Sequence, residues 1–150
     1  MAKTKTATSP VVAALHGVLA DTYALAVKTH AAHWNVTGPA FFQLHEAFAT
    51  QYEALFEAAD EVAERIRALG AIAPAGLAAL AGATGVTDTQ GSDGIALAKA
   101  LGADHRALSA ACAKAVVEAQ EADDEASADL LIGRIEAHDK TAWMLEAVSR

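Results

Sequence analysis

Two histidines and two carboxylates are the residues of this sequence whose types and spacing could bind a metal ion. His33 and His45 flank a Thr-Gly-Pro break, and Asp60 and Glu64 follow later in the chain. A mixed imidazole and carboxylate set without a thiolate suits Fe(II), and less selectively Zn or Mn. The alternative is that the acids are solvated helix residues and the histidines pack in a hairpin, because such spacings also arise by chance.

The helical placement of these residues predicts a site that two chains share. Because proline cannot continue a helix, the break at residues 37–39 puts His33 at the end of one helix and His45 early in the next. Asp60 and Glu64 are four residues apart and share a helix face. His45 and Asp60 are roughly 22 Å apart along the helix, which no side chain spans. Two antiparallel copies about a two-fold axis would bring the histidines of one chain to the carboxylates of the other.

Four long amphipathic segments predict an all-α fold. Apolar residues recur at spacings of three and four over residues 10–35, 40–69, 93–121 and 125–148. Between the second and third segments, a Gly- and Pro-rich connection contains the short apolar piece GLAALAG, which could form one short helix. A long crossover of this kind is typical of a ferritin-like four-helix bundle. We therefore predict a flexible tail at residues 1–9 and one bundle domain at residues 10–150.

Capping residues define where three of these helices begin. Ser9 with Pro10 is a favourable entry to the first helix, and Ser92 is expected to cap the third. Asp123 or Asp124 is expected to cap the fourth helix, where an acid also meets the positive end of the helix dipole.

Three further histidines and the single cysteine lie on apolar helical stripes. His16, His105 and His138 are expected to be core histidines with satisfied hydrogen bonds rather than metal ligands. Cys112 is expected to be a small core residue, and a lone cysteine excludes an intrachain disulfide.

The composition indicates an ordered globular protein. Of its 150 residues, 53% are hydrophobic, and the formal net charge of −8 does not favour contact with nucleic acid over the whole surface. The opening MAKTKTATSP lacks the apolar core of a signal peptide, and no apolar run reaches the roughly 20 residues of a membrane span. We therefore expect a cytoplasmic protein that is not embedded in a membrane.

Three stretches of the chain closely resemble the Dps family, the miniferritins that oxidise iron and protect DNA in stressed bacteria. They are HWNVTGPAFFQLHE, DEVAERIRALG and, less specifically, EAHDKTAWMLEAV. The resemblance implies that His33, His45, Asp60 and Glu64 form a ferroxidase centre between subunits. It further implies that Fe(II) is oxidised there by hydrogen peroxide or dioxygen and stored inside a dodecamer built from two-fold dimers.

Three positions near the site add to this resemblance or depart from it. Trp34 matches a tryptophan that the family keeps beside the centre, where it is thought to intercept oxidising radicals; the alternative is an ordinary interface aromatic. Ala49 stands where the family usually has an acid that helps to hold a second iron, and alanine cannot bind a metal. His30, three residues before His33, could contribute a ligand or could simply be packed or solvated.

Two charged segments are candidates for other contacts. The resemblance implies that acids between the last two helices line a three-fold pore for iron, with Asp123, Asp124 and Asp129 as candidates; the alternative is helix capping. Lys3 and Lys5 could bind DNA weakly through the many tails of a shell. An alternative function is therefore that of a nucleoid-associated, DNA-compacting protein with weak ferroxidase activity.

Overall fold

Residues 9–150 fold into four long helices and one short one, as the sequence predicted. The computed structural model describes residues 9–150, so Lys3, Lys5 and the rest of the predicted tail before Ser9 lie outside the described residues. The helices are α1 (Pro10–Asn35), α2 (Phe41–Ala68), α3 (Leu77–Ala83), α4 (Gly94–Glu121) and α5 (Glu125–Val148). Within residues 9–150 no strand forms beyond one isolated bridge between Thr37 and Asp93. The predicted ferritin-like bundle, with a short helix in the crossover, is confirmed.

The bundle is built from two antiparallel hairpins, α1 with α2 and α4 with α5, and α1 also packs against α4. Its core is one continuous apolar cluster that includes Leu15, Leu25, Phe48, Ile66 and Leu131, all fully buried. Burying each such side chain contributes about 1.5–3 kcal/mol relative to exposure. The periodic apolar stripes that predicted the helices therefore also form the surface along which they pack.

Helix α1 is the most apolar of the long helices. It is long and apolar enough to cross a membrane by length and composition, with a mean hydropathy of 1.5 over an 18-residue window. The sequence-based expectation rested on the lack of an uninterrupted apolar run and did not foresee so apolar a helix. Half of the window is buried inside the bundle, where α1 contacts α2, α3 and α4. The packing of α1 on several sides accounts for its hydropathy.

The start of α4 is bound to the turn between α1 and α2. The Thr37 amide donates to the Ser92 carbonyl (2.7 Å), and the Gly94 amide donates to the Thr37 carbonyl (3.2 Å). The prediction that Ser92 caps α4 is wrong: Asp93 is the N-cap, and its carboxylate accepts from the Ala96 amide (2.8 Å). Ser92 is instead engaged by Thr37, whose hydroxyl donates to it.

Helix α5 begins at one of the two cap residues, Asp123 or Asp124, that the sequence predicted. Asp124 is the N-cap and accepts from the Ser127 amide (3.1 Å) and from Nη2 of Arg65 on α2 (2.6 Å). Partial burial opposes ionisation, but the bonds from Ser127 and Arg65 outweigh it, so the pKa of Asp124 lies below its ordinary value. This carboxylate therefore ties α5 to α2.

A buried histidine pair joins α4 to α5. His105 and His138 are buried as expected, and their Nδ1 atoms lie 2.9 Å apart. The expected hydrogen bonds are met at only one nitrogen of each ring, because the Nε2 atoms of both rings have no partner among residues 9–150. His16, the third histidine expected in the core, is only half-buried. Cys112 is fully buried, as predicted.

Candidate metal centre

His33 and His45 are brought together by the hairpin between α1 and α2. His33 lies in the last turn of α1, and His45 lies near the start of α2. Their rings stack with centroids 3.8 Å apart, and the Phe41 ring also stacks against His45, with centroids 5.1 Å apart. Both imidazoles are half-buried, so they are partly shielded but still reach the surface.

Reciprocal hydrogen bonds hold the two imidazoles in place. His33 Nδ1–H donates to the backbone carbonyl of His45 (2.7 Å), and His45 Nδ1–H donates to the backbone carbonyl of His33 (2.8 Å). Because a carbonyl oxygen can only accept, each Nδ1 must carry the proton. In the neutral rings each Nε2 therefore has a free lone pair. Metal-binding histidines in proteins are oriented by the same kind of bond to a backbone carbonyl.

A cluster of aromatic rings continues from the histidines along the hairpin. The His30 ring lies 4.1 Å from Tyr52 and 4.3 Å from Trp34, and the Tyr52 ring lies 5.5 Å from His33. Trp34 has 66% of its surface exposed. Sequence reasoning placed Trp34 beside the site but missed Tyr52. The signal for Tyr52 was available, since it lies two helical turns after His45 on the same face.

The two carboxylates lie toward the other end of α2. Asp60 and Glu64 are both exposed and one turn apart. In the part of the chain that is described, residues 9–150, no three His, Cys, Asp or Glu side chains lie together as a metal site. The structure of one chain thus brings the histidines together but leaves the carboxylates apart from them.

A groove of about 210 Å³ lies beside the carboxylate end. Asp60 is its acidic member, and Tyr23, Phe56 and Leu80 are among its apolar walls. Tyr23 and Phe56 meet edge to face with centroids 5.4 Å apart. The carboxylate end therefore combines an acid with an apolar depression, whereas the histidine end has exposed aromatic rings.

The remaining predicted residues have different surroundings. Ala49 is half-buried on α2 and brings no ligand. Of the pore candidates, Asp123 and Asp129 are exposed, whereas Asp124 is engaged with Arg65 and Ser127. Asp123 adopts a φ of 55°, a conformation that allows the chain to turn sharply between α4 and α5.

Comparisons with known proteins agree on one family. Residues 12–150 match the family model described as a ferritin-like domain. The chain is 34% identical over 138 residues to DNA protection during starvation protein 2 of Bacillus anthracis, covering 91% of this chain and 94% of that protein.

Solved structures give the same result. The Dps structure from Staphylococcus aureus has a TM-score of 0.92 and 30% identity, covering 95% of this chain and 97% of that one. The Dps structure from Vibrio cholerae has a TM-score of 0.89 and 29% identity, covering 93% of this chain and 89% of that one. The Vibrio cholerae protein is described as a member of a broad superfamily of ferritin-like diiron-carboxylate proteins.

Proposed function

Because the chain belongs to the Dps family of ferritin-like proteins, we propose that it is a ferroxidase that oxidises Fe(II) and stores the ferric product. The site consists of His33 and His45 of one subunit and Asp60 and Glu64 of its two-fold partner. Fe(II) is the substrate, and hydrogen peroxide or dioxygen is the oxidant. Removing both reactants would protect DNA from the radicals they generate together, which agrees with the name of the Bacillus anthracis relative.

The observation that carries this proposal is the pair of reciprocal histidine bonds. They engage both Nδ1 atoms with backbone carbonyls and leave both Nε2 lone pairs available to bind a metal ion. Rings fixed in this way lose little conformational freedom when an ion binds. An arrangement that served only packing would not require both imidazoles to have the same free nitrogen.

The roles of the site follow from this arrangement. Imidazole nitrogens and carboxylate oxygens bind Fe(II), and the carboxylates offset the charge that rises as iron becomes Fe(III). Two Fe(II) ions supply the two electrons that reduce one hydrogen peroxide to two waters, and the required protons come from water bound to the iron product. Trp34, exposed next to His33, is proposed to intercept radicals that escape this two-electron reaction.

The exposed aromatic residues support assembly through a two-fold interface. Phe42 and Trp34 expose 81% and 66% of their surfaces at the histidine end. Exposed large apolar side chains mark interaction surfaces, and an antiparallel partner would place them near the groove beside Asp60. We propose that such dimers form a dodecamer. Iron would enter it through pores lined by acids such as Asp123 and Asp129, with Asp124 as a less available candidate.

A DNA-compacting role is the less supported alternative. Its candidates Lys3 and Lys5 lie outside the described residues, and the net charge of −8 opposes binding over the body of the protein. We therefore propose that any DNA binding is weak and confined to the tail.

Mixing two inactive variants tests the shared site. His33→Ala and Asp60→Ala should each abolish fast Fe(II) oxidation. When the two are unfolded together and reassembled at random, about half of the dimers are mixed, and each mixed dimer has one intact site. About a quarter of the wild-type activity should return.

The control for this experiment is His16→Ala, a histidine variant on α1 far from the hairpin turn, which should keep full activity alone. Mass spectrometry must first show that mixed dimers have formed. A mixture that contains mixed dimers and remains as inactive as its components would refute a shared site.

A further inference from the structure

His30 lies one helical turn before His33 on the same face of α1. The reciprocal bonds between His33 and His45 fix the register of the hairpin at that level. Moving one turn away from the hairpin loop leads to His30 on α1 and to Ala49 on α2. One helical turn further from the hairpin loop than His33 and His45, the two helices therefore carry the imidazole of His30 and the methyl group of Ala49.

The environment of His30 differs from that of the two ligand histidines. Its ring stacks on Tyr52 with centroids 4.1 Å apart and meets Trp34 at a tilt, with centroids 4.3 Å apart. Its centroid lies 6.3 Å from that of His33. One nitrogen of His33 and one of His45 donate to backbone carbonyls, but no carbonyl of residues 9–150 holds the His30 ring in this way. The stack on Tyr52 engages a face of the His30 ring and leaves the nitrogens at its edge available.

The His33 and His45 rings are placed so that they could hold two ions rather than one. Each ring keeps one free Nε2, because its Nδ1 donates to a backbone carbonyl, so each ring could bind a separate ion of a two-metal site. Two ions that share two imidazoles and two carboxylates have few protein ligands, since first-row metals take four or more. An imidazole nitrogen of His30, one helical turn away, would add a protein ligand to this set.

We propose that His30 is an additional metal ligand of the shared site and supplies an imidazole nitrogen to its second metal position. The inference rests on the proposed function, because the carboxylates of that position come from the partner. His30 is then more than a packing residue: removing its nitrogens should lower the number of ions bound even when its ring contacts are kept.

Anaerobic Co(II) titration of the assembled protein tests this inference. Binding is followed by calorimetry and by the absorption bands of Co(II), which report its ligands. The wild type should bind about two ions tightly per site, and His30→Phe, which keeps an aromatic ring against Tyr52 and Trp34, should bind about one. His16→Phe makes the same change elsewhere on α1 and should bind as the wild type does. If His30→Phe does not assemble, His30→Leu replaces it.

Placing a carboxylate at position 49 should restore what His30→Phe removes. The double variant His30→Phe/Ala49→Asp should again bind about two ions, because the new acid lies at the same level of the hairpin. The inference is overturned if His30→Phe keeps the wild-type number, if His16→Phe loses as much, or if the double variant is not restored.

Failure of the proposed function would look different. His33→Ala should weaken binding at both positions, since it removes a ligand that both proposals share. If His33→Ala left Co(II) binding unchanged, or if the wild type bound no Co(II), the ferroxidase site itself would be wrong. If His33→Ala lost binding while His30→Phe did not, only the role of His30 would fail.

Discussion

Acid should weaken the fold through the buried pair of His105 and His138. Burial, with a smaller effect of the Arg134 charge, lowers the pKa of His105 to about 4. Burial, with contributions from His105 and Arg134, lowers the pKa of His138 to about 3. The geometry agrees, because an Nδ1···Nδ1 distance of 2.9 Å requires one N–H and one lone pair between the rings. Protonating the accepting ring would place two donors against each other.

The sign of the pH dependence follows from these values. Both folded pKa values lie below the ordinary histidine value of 6.5, so the unfolded chain binds more protons as the pH falls below 6.5. Stability is therefore fully present above about pH 6.5 and is lost progressively toward pH 4 and 3. At pH 5 both folded rings are still neutral, and the loss depends mainly on the unfolded chain. It amounts to about 2 kcal/mol for each histidine and about 4 kcal/mol for the pair.

Replacing both histidines with asparagine should remove this sensitivity. An asparagine pair still provides a donor and an acceptor near the former Nδ1 atoms, but it does not titrate. The free energy of unfolding would be measured by chemical denaturation at pH 7 and pH 5, at one protein concentration, because assembly also stabilises the folded state. The difference between the two pH values should be smaller in His105→Asn/His138→Asn by about 4 kcal/mol.

Two features of this design isolate the pair. Asp124 and Glu146 have lowered pKa values, but as carboxylates they act mainly below pH 5. His16→Asn changes a half-buried histidine and should leave the pH difference of the wild type in place. If the double variant loses as much stability between pH 7 and pH 5 as the wild type, the account of the buried pair is wrong.

Three further outcomes are expected. Gly94→Ala should destabilise the fold by about 1–3 kcal/mol in chemical denaturation, because its Cβ would lie 2.7 Å from Leu44 Cδ1. Gly17→Ala, whose new Cβ meets no heavy atom of the described residues within 4 Å, should stabilise the fold by roughly 0.5–1 kcal/mol. Equal effects of the two changes would argue against close packing at the start of α4. Deleting residues 2–8 should reduce any DNA retention and its salt dependence in gel-shift assays, and retention that survives would place the DNA surface elsewhere. Light scattering should report a dodecamer, or a dimer in equilibrium with it, and a stable monomer with full ferroxidase activity would contradict a shared site.

Local features of the sequence determined the helices and the pairing of the two histidines. Helix α1 begins at Pro10 with Ser9 as the N-cap residue, as predicted, although the Ser9 side chain makes no capping hydrogen bond to the described residues. The break at residues 37–39 was enough to place His33 opposite His45. Helix formation and turn conformation depend mainly on residues that are close in the sequence, so the sequence alone is sufficient to predict them. The distance along α2 between His45 and Asp60 was predictable for the same reason.

Contacts between distant segments were decided only by the tertiary structure. The bond between His105 and His138 joins residues 33 positions apart, and it depends on how α4 and α5 are rotated and shifted against each other. Asp93 rather than Ser92 caps α4, and Ser92 instead accepts a hydrogen bond from Thr37, 55 residues earlier in the chain. Periodicity specifies which face of a helix is buried, but the axial and rotational register of two packed faces is set by the fit of many side chains at once. The same fit gives His33 and His45 their reciprocal carbonyl bonds, which no spacing in the sequence could show.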